Sequence, residues 1–275
     1  MGLEQGTFVS QGIHVKYMQR AARGLPSVVF LHGWASSSRM WLGVCSALEE
    51  FARCIAFDFP GHGGSDKPSA DWYSIPRFSR VVADLCADLG LNLPILVGHS
   101  MGGTVALDIA VGGWPPLLGV VAVNPLVTGR TSQLRLWMDH GLAAPILAVS
   151  RRVWPVASRL LSQPPSLIER SWPEHVKRNR HDLALTTADS ALGSMRAVLG
   201  HDLRERLPGI ITPALVIVGA HDPVVAPQEG RLAAQLLGGA EILELDAGHH
   251  PSDETPEAFL TALRAFITRV MVTRG

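Results

Sequence analysis

Short, largely β-branched apolar runs recur along the chain, at Val28–Leu31, Cys54–Phe57, Ile95–Val97, Val120–Val123, Leu215–Val218 and Ile242–Leu245. A strand with one wet face alternates apolar and polar positions, so runs that are apolar at successive positions suit strands covered on both faces. Between most of them the apolar positions fall at helical spacing instead, over Met40–Phe51, Ile75–Leu89, Met101–Val111, Glu229–Leu237 and Pro256–Val270. Strand and helix in alternation predict an α/β fold, a mostly parallel sheet with helices on both faces. The opening segments Thr7–Ser10 and Ile13–Gln19, parted by Gln11-Gly12, read as an antiparallel hairpin and bring the expected sheet to eight strands.

The alternation lapses from about Thr128 to Leu207. The pattern there is helical, broken by Pro145, Pro155, Pro164-Pro165 and Pro173. This predicts a helical cap over residues 128–207, inserted into a single core made of residues 1–127 and 208–275. Charge changes the picture at the same place. The whole chain balances 24 basic against 24 acidic residues, yet Thr128–Arg180 holds nine basic and three acidic, a local excess of +6.

With 47% apolar and 17% charged residues in 275, the chain is too apolar to be disordered, and its zero net charge gives no general reason to bind nucleic acid. Cys45, Cys54 and Cys86 form no CxxC pair and no zinc-spaced cluster, which argues against a disulfide framework or a metal site. The first residues lack a signal-peptide pattern, position 6 is Gly where a myristoylation motif wants Ser or Thr, and no apolar run approaches the ~20 residues of a membrane span. A cytoplasmic protein without a membrane span is the expectation.

The strongest local signal is Ile95-Leu-Val-Gly-His-Ser-Met-Gly-Gly103, a buried strand running through Gly98-x-Ser100-x-Gly102 into a helical segment. A serine on a sharp strand-to-helix turn has a strained backbone and needs small residues two positions either side, where the flanking segments pack closely. The turn also places Ser100 at a helix N-terminus, where free N–H groups favour developing negative charge. A serine hydroxyl is a weak nucleophile near neutral pH unless a base takes its proton and an acid orients that base. Candidates stand in the loops after two later strands: Asp222 in Gly219-Ala-His-Asp222, and His249 or His250 in Asp246-Ala-Gly-His249-His250-Pro. Open parallel sheets collect functional residues at these C-terminal strand ends.

Together with His32-Gly33-Trp34 and Asp58-Phe-Pro-Gly-His-Gly-Gly-Ser65, these motifs resemble the α/β-hydrolases that carry a helical cap after the sixth strand, and the resemblance spans essentially the whole chain. It implies Ser100 as nucleophile, His249 as general base and Asp222 as its orienting acid, with the backbone N–H groups of Trp34 and Met101 as the oxyanion hole. The family pattern puts the base directly after Gly, which favours His249 over His250. Some members carry the acid after the sixth strand, but Asn124 stands there and an amide cannot act as a carboxylate. Asp58 is expected to shape its loop, and His32, His62, His99 and His221 to hold loops through hydrogen bonds.

A serine at the elbow, where epoxide hydrolases and haloalkane dehalogenases of this family use aspartate, points to acyl transfer without a cofactor. The implied substrate is a small-to-medium hydrophobic ester, with Leu134, Trp137, Met138 and Trp154 of the cap, and His250, lining the pocket. The basic cap could further attract an acidic carrier protein or an anionic substrate. Carbon–carbon bond hydrolases, cofactor-free perhydrolases and non-catalytic ligand-binding members share much of the pattern and stand as alternatives.

Overall fold

Strand β3 (Ser27–Leu31) is buried from Val28 on, and β5 (Ile95–His99), β6 (Gly119–Val123) and β7 (Ala214–Gly219) are buried at every position. These strands form the middle of the sheet in the computed structural model, which describes residues 3–20, 24–129, 152–154, 156 and 173–273. With β1 (Glu4–Ser10), β2 (Ile13–Arg20), β4 (Arg53–Phe57) and β8 (Glu241–Leu245) they make one eight-stranded sheet, in the order β1-β2-β4-β3-β5-β6-β7-β8. Only β2 runs against its neighbours; every pairing from β4 to β8 is parallel. The β1–β2 hairpin turns on Gln11 (φ 51°) and Gly12 (φ 78°), the left-handed pair that a two-residue hairpin loop requires.

Alternate residues of each strand feed two separate cores. Val29, Leu31 and Leu96 face α2 (Ile75–Asp88), α3 (Met101–Gly112) and α6 (Pro227–Leu236), and Ala233 of α6 closes that layer. Val28, Phe30 and Val97 face α1 (Leu42–Ala47) and α7 (Pro256–Val272), against Trp41, Phe259 and Phe266. Helix α3 is buried from Met101 through Ala110, which suits its apolar sequence and its place against the middle strands. Helix α1 is shorter than the expected Met40–Phe51. Ser37 accepts from Arg39 N to start a 3₁₀ turn over Ser38–Trp41, and the chain leaves α1 at Leu48 to enter β4 beside β3.

Between β6 and β7 the described residues form α4 (Glu174–Ala184) and α5 (Ala188–Leu199). The chain leaves the core for this segment under a buried clasp. The Glu229 carboxyl in the first turn of α6 accepts from Val127 N (2.7 Å), Thr128 N (2.9 Å) and Thr128 Oγ1 (2.7 Å). No helix among the described residues is long and apolar enough to cross a membrane.

Removing the Glu229 carboxyl takes the acceptor from three buried donors. Glu229→Ala is expected to lower stability by on the order of 3 kcal/mol, and Glu229→Gln by less, read as the shift in urea midpoint.

Candidate active site

The site begins where β5 meets α3. Ser100 adopts φ 53° and ψ −116°, a conformation that L side chains rarely take. Its amide donates to Val123 O (2.8 Å) and its carbonyl accepts from Thr104 N (3.0 Å), so the turn is held from both sides. The glycine spacing has a direct steric cause. A Cβ on Gly98 would lie 2.1 Å from Gly102 O, and one on Gly102 would lie 2.4 Å from Leu31 O. Backbone touches backbone at both points, and only hydrogen fits.

The loops after β7 and β8 bring Asp222 and His249 together. His249 Nδ1 lies 2.7 Å from Asp222 Oδ2. Asp222 Oδ1 accepts from Val224 N (2.7 Å) and Val225 N (2.9 Å), which fixes the carboxyl plane in a fully buried position. His250, the rival base, is engaged elsewhere: Asn179 Nδ2 of α4 donates to its Nε2 at 2.9 Å. Burial, with His249 and His175 nearby, lowers the pKa of His250 to about 4. The His99 ring packs 4.6 Å from that of His249 and donates from Nε2 to His249 O at 2.6 Å. Burial, then the neighbouring His249 and His250, hold His99 well below the usual histidine range.

The loop carrying Trp34 is set by a second buried histidine. His32 Nδ1 donates to Gly33 O (2.7 Å) and its Nε2 accepts from Phe59 N (2.9 Å), which fixes the neutral tautomer that burial also favours. Asp58 ties the adjoining loops by accepting from Ser38 N (2.7 Å) and Gly64 N (2.8 Å). Met101 is the first residue of α3, so its N–H has no acceptor within the helix.

Trp34, Ser100, Met101, His249 and His250 all line one cavity of about 550 Å³. Helix α4 closes it with Val176, Asn179, Arg180 and Leu183, the i, i+3, i+4 and i+7 face, and α5 adds Met195 and Val198. Of the pocket residues expected from sequence, His250 is in this wall. Trp154 is half-buried outside it, with its indole N–H given to Thr186 O at 2.7 Å, and Leu134, Trp137 and Met138 lie outside the described residues. The positive excess of the inserted segment is partly matched: Arg178 holds Asp253 through two bonds (3.2 and 2.7 Å) and Lys177 pairs with Glu174 (2.8 Å). Among the described residues no group of three or more His, Cys, Asp or Glu could hold a metal ion, and all three cysteines are free and buried.

Sequence reasoning passed over Asn179 and Glu254, and read Asn124 only as the lack of a carboxylate, although all three bond to the loop of His249 and His250. The partners of Asn179 and Asn124 lie 71 and up to 125 residues away, a separation that no local pattern records, whereas Glu254 bonds four to six residues back, to Gly248 N and His250 N.

Comparison with known proteins agrees with the fold. A model described as "Alpha/beta hydrolase family" matches residues 28–262. A 3-oxoadipate enol-lactonase of Acinetobacter baylyi is 26% identical over 265 residues, covering 96% of each chain. A crystal structure of a hydrolase from Pseudomonas aeruginosa superposes with a TM-score of 0.82 at 29% identity, covering 96% of this chain and 98% of that one. The enol-lactonase from Burkholderia xenovorans follows at 0.80 and 27%, covering 96% and 100%.

Two predictions arise. Gly98→Ala is expected to lose more than about 3 kcal/mol in urea denaturation, whereas Gly112→Ala, whose added methyl meets nothing within 4 Å, should be neutral or slightly stabilising. His250 supplies a pH dependence. Its folded pKa, about 4, lies below the ordinary value of 6.5, so unfolding takes up a proton between those limits and stability falls as pH drops through that window. The urea midpoint should therefore decline from pH 7 to 4.5, and decline less steeply in His250→Gln.

Proposed function

We propose that this chain, which belongs to the alpha/beta hydrolase family, hydrolyses carboxylic esters, including cyclic ones, through an acyl-enzyme on Ser100. The observation that carries this reading is the placement of Ser100 on a strained elbow, in the wall of the same cavity as a histidine bonded to a buried aspartate. In this reading Ser100 Oγ attacks the ester carbonyl while His249 Nε2 takes its proton. Asp222 holds the Nδ1–H and stabilises the imidazolium that forms. The Ser100–His249 hydrogen bond is required at the moment of attack, and contacts of this kind tighten when substrate binds.

The N–H groups of Trp34 and Met101 receive the oxyanion, each contributing about 3 kcal/mol to the transition state. Collapse of the tetrahedral intermediate breaks the ester C–O bond and His249 returns the proton to the leaving alcohol. A water then gives a proton to His249 as it adds to the acyl carbonyl, and collapse breaks the bond to Ser100 Oγ, which takes the proton back from His249 as the carboxylic acid leaves.

The apolar wall supplied by Leu126, Val176, Leu183, Met195 and Val198 favours small-to-medium hydrophobic acyl groups, and about 550 Å³ sets the size class. The similarity to enol-lactonases, 26% and 27% identical over nearly the whole chain, extends the reading to lactones, whose opening leaves acid and alcohol in one product. Residues 128–207 act as a cap in this scheme, since α4 and α5 of that segment close the cavity over Ser100. No cofactor takes part, and the cytoplasm is the proposed compartment.

Hydrolysis of p-nitrophenyl esters from acetate to dodecanoate tests this directly. Turnover is expected to peak at short to medium chains and to fall by about 10⁴-fold or more in Ser100→Ala. Wild-type rates no higher than those of Ser100→Ala would overturn ester hydrolysis and favour carbon–carbon bond cleavage or a binding role.

A further inference from the structure

Asn124 follows β6, at the end of the sheet where the loops of Asp222 and His249 converge. It is buried, and its φ of 45° is a left-handed conformation that asparagine tolerates better than most residues. Its side chain is fully used. Oδ1 accepts from Gly219 N at 2.7 Å, at the end of the strand that leads to Asp222. Nδ2 donates to Gly248 O (3.3 Å) and His249 O (3.2 Å), in the loop that carries the histidine. One amide group therefore spans the two segments whose separation sets the Asp222–His249 contact.

The surroundings leave that junction little freedom. A Cβ on Gly219 would lie 2.0 Å from Gly248 O, so the two segments are already at backbone contact. Ala220 N and His221 N donate to Leu245 O (2.9 Å) and Ala247 O (3.0 Å), extending the pairing of β7 and β8 beyond the sheet. On the far side of the base loop, Glu254 accepts from Gly248 N (2.6 Å) and His250 N (2.8 Å). His249 O, besides Asn124, accepts from His99 Nε2. Asn124 alone among these side chains reaches both the strand end before the acid and the loop of the base.

We propose that Asn124 is a positioning residue for the His249–Asp222 pair, acting through the backbone of both loops. The inference rests on the assignment of those two residues as base and acid. An amide is required because the position must accept on one side and donate on the other. A carboxylate would keep the Gly219 bond but set negative charge against two carbonyl oxygens. A misplacement of the base by about 1 Å is enough to lower the rate by about 10²-fold.

The test uses Asn124→Asp, which keeps shape and conformational preference, and Asn124→Gly, which accepts the positive φ without a side chain. Each is compared with wild type for ester hydrolysis and for the downfield proton resonance of His249 Nδ1–H, identified by its loss in His249→Gln. The expected result in both variants is kcat at least tenfold lower, KM within about twofold, and that resonance shifted or broadened. Unchanged kcat with an unchanged resonance would overturn the proposal. Failure of both variants to fold, judged by circular dichroism, would also overturn it, by assigning Asn124 to the fold alone. The resonance does not depend on turnover, so wild-type rates no higher than those of Ser100→Ala would overturn ester hydrolysis while Asn124 is still shown to hold, or not to hold, the histidine.

Discussion

The structure depends on one close approach, that of the β5–α3 turn to the end of β3. Gly102 lies against the carbonyl of Leu31, and Gly98 against that of Gly102, at distances that exclude any Cβ. This lets the chain reverse from strand to helix within one residue and places Ser100 at φ 53°. Strain of this kind persists only where neighbours over-determine the backbone. Here the amide of Ser100 is bonded to β6 and its carbonyl to α3, so the elbow cannot relax without giving up sheet and helix together. The Trp34 loop lies against the same turn, since a Cβ on Gly33 would meet His99 Nδ1 at 2.9 Å and Ser100 Cβ at 3.3 Å.

Around this point the protein buries imidazoles while holding charge down. His32, His62, His99 and His250 all have lowered pKa values, burial being the largest cause in each case, and His62 falls to about 3. A neutral imidazole both donates and accepts, so it can join two loops at less electrostatic cost than an ion buried there. His32 does this between Gly33 and Phe59. His249 meets a carboxylate instead: the Asp222 bond aims its ring.

Most of this architecture is legible in the sequence because it is local. Six apolar runs and a Gln11-Gly12 turn mark all eight strands, within a few residues of where they fall; for β3 to β7 burial on both faces leaves no polar alternation to confuse the pattern, whereas β8, expected to be covered likewise, lies at the sheet edge with Ile242 exposed. The elbow and its two glycines are legible for the steric reason just given. Helix α1 is overestimated because apolar spacing continues past Ala47, whereas the end of the helix is set by the need to enter β4 beside β3. Trp154 lies outside the cavity because its indole finds Thr186 O, an acceptor that only the packing of the inserted segment reveals. Asn124 reads in sequence as the lack of a carboxylate; its three bonds to β7 and the base loop depend on the meeting of segments about a hundred residues apart.

The segment between β6 and β7 does more than cover the cavity, because it is bonded to both loops that chemistry would use. The Trp34 indole donates to Ala191 O of α5 at 2.8 Å, and Ser37, three residues on, donates to Asp182 of α4 at 2.8 Å. Burial raises the pKa of Asp182 even with Ser37 and Arg39 beside it, a sign of how completely this contact is withdrawn from water. On the opposite wall Asn179 holds His250, and Arg178 grips Asp253 in the turn that follows. The α4 residues that face the cavity therefore sit on a helix tied to the Trp34 loop and to the His249 loop together.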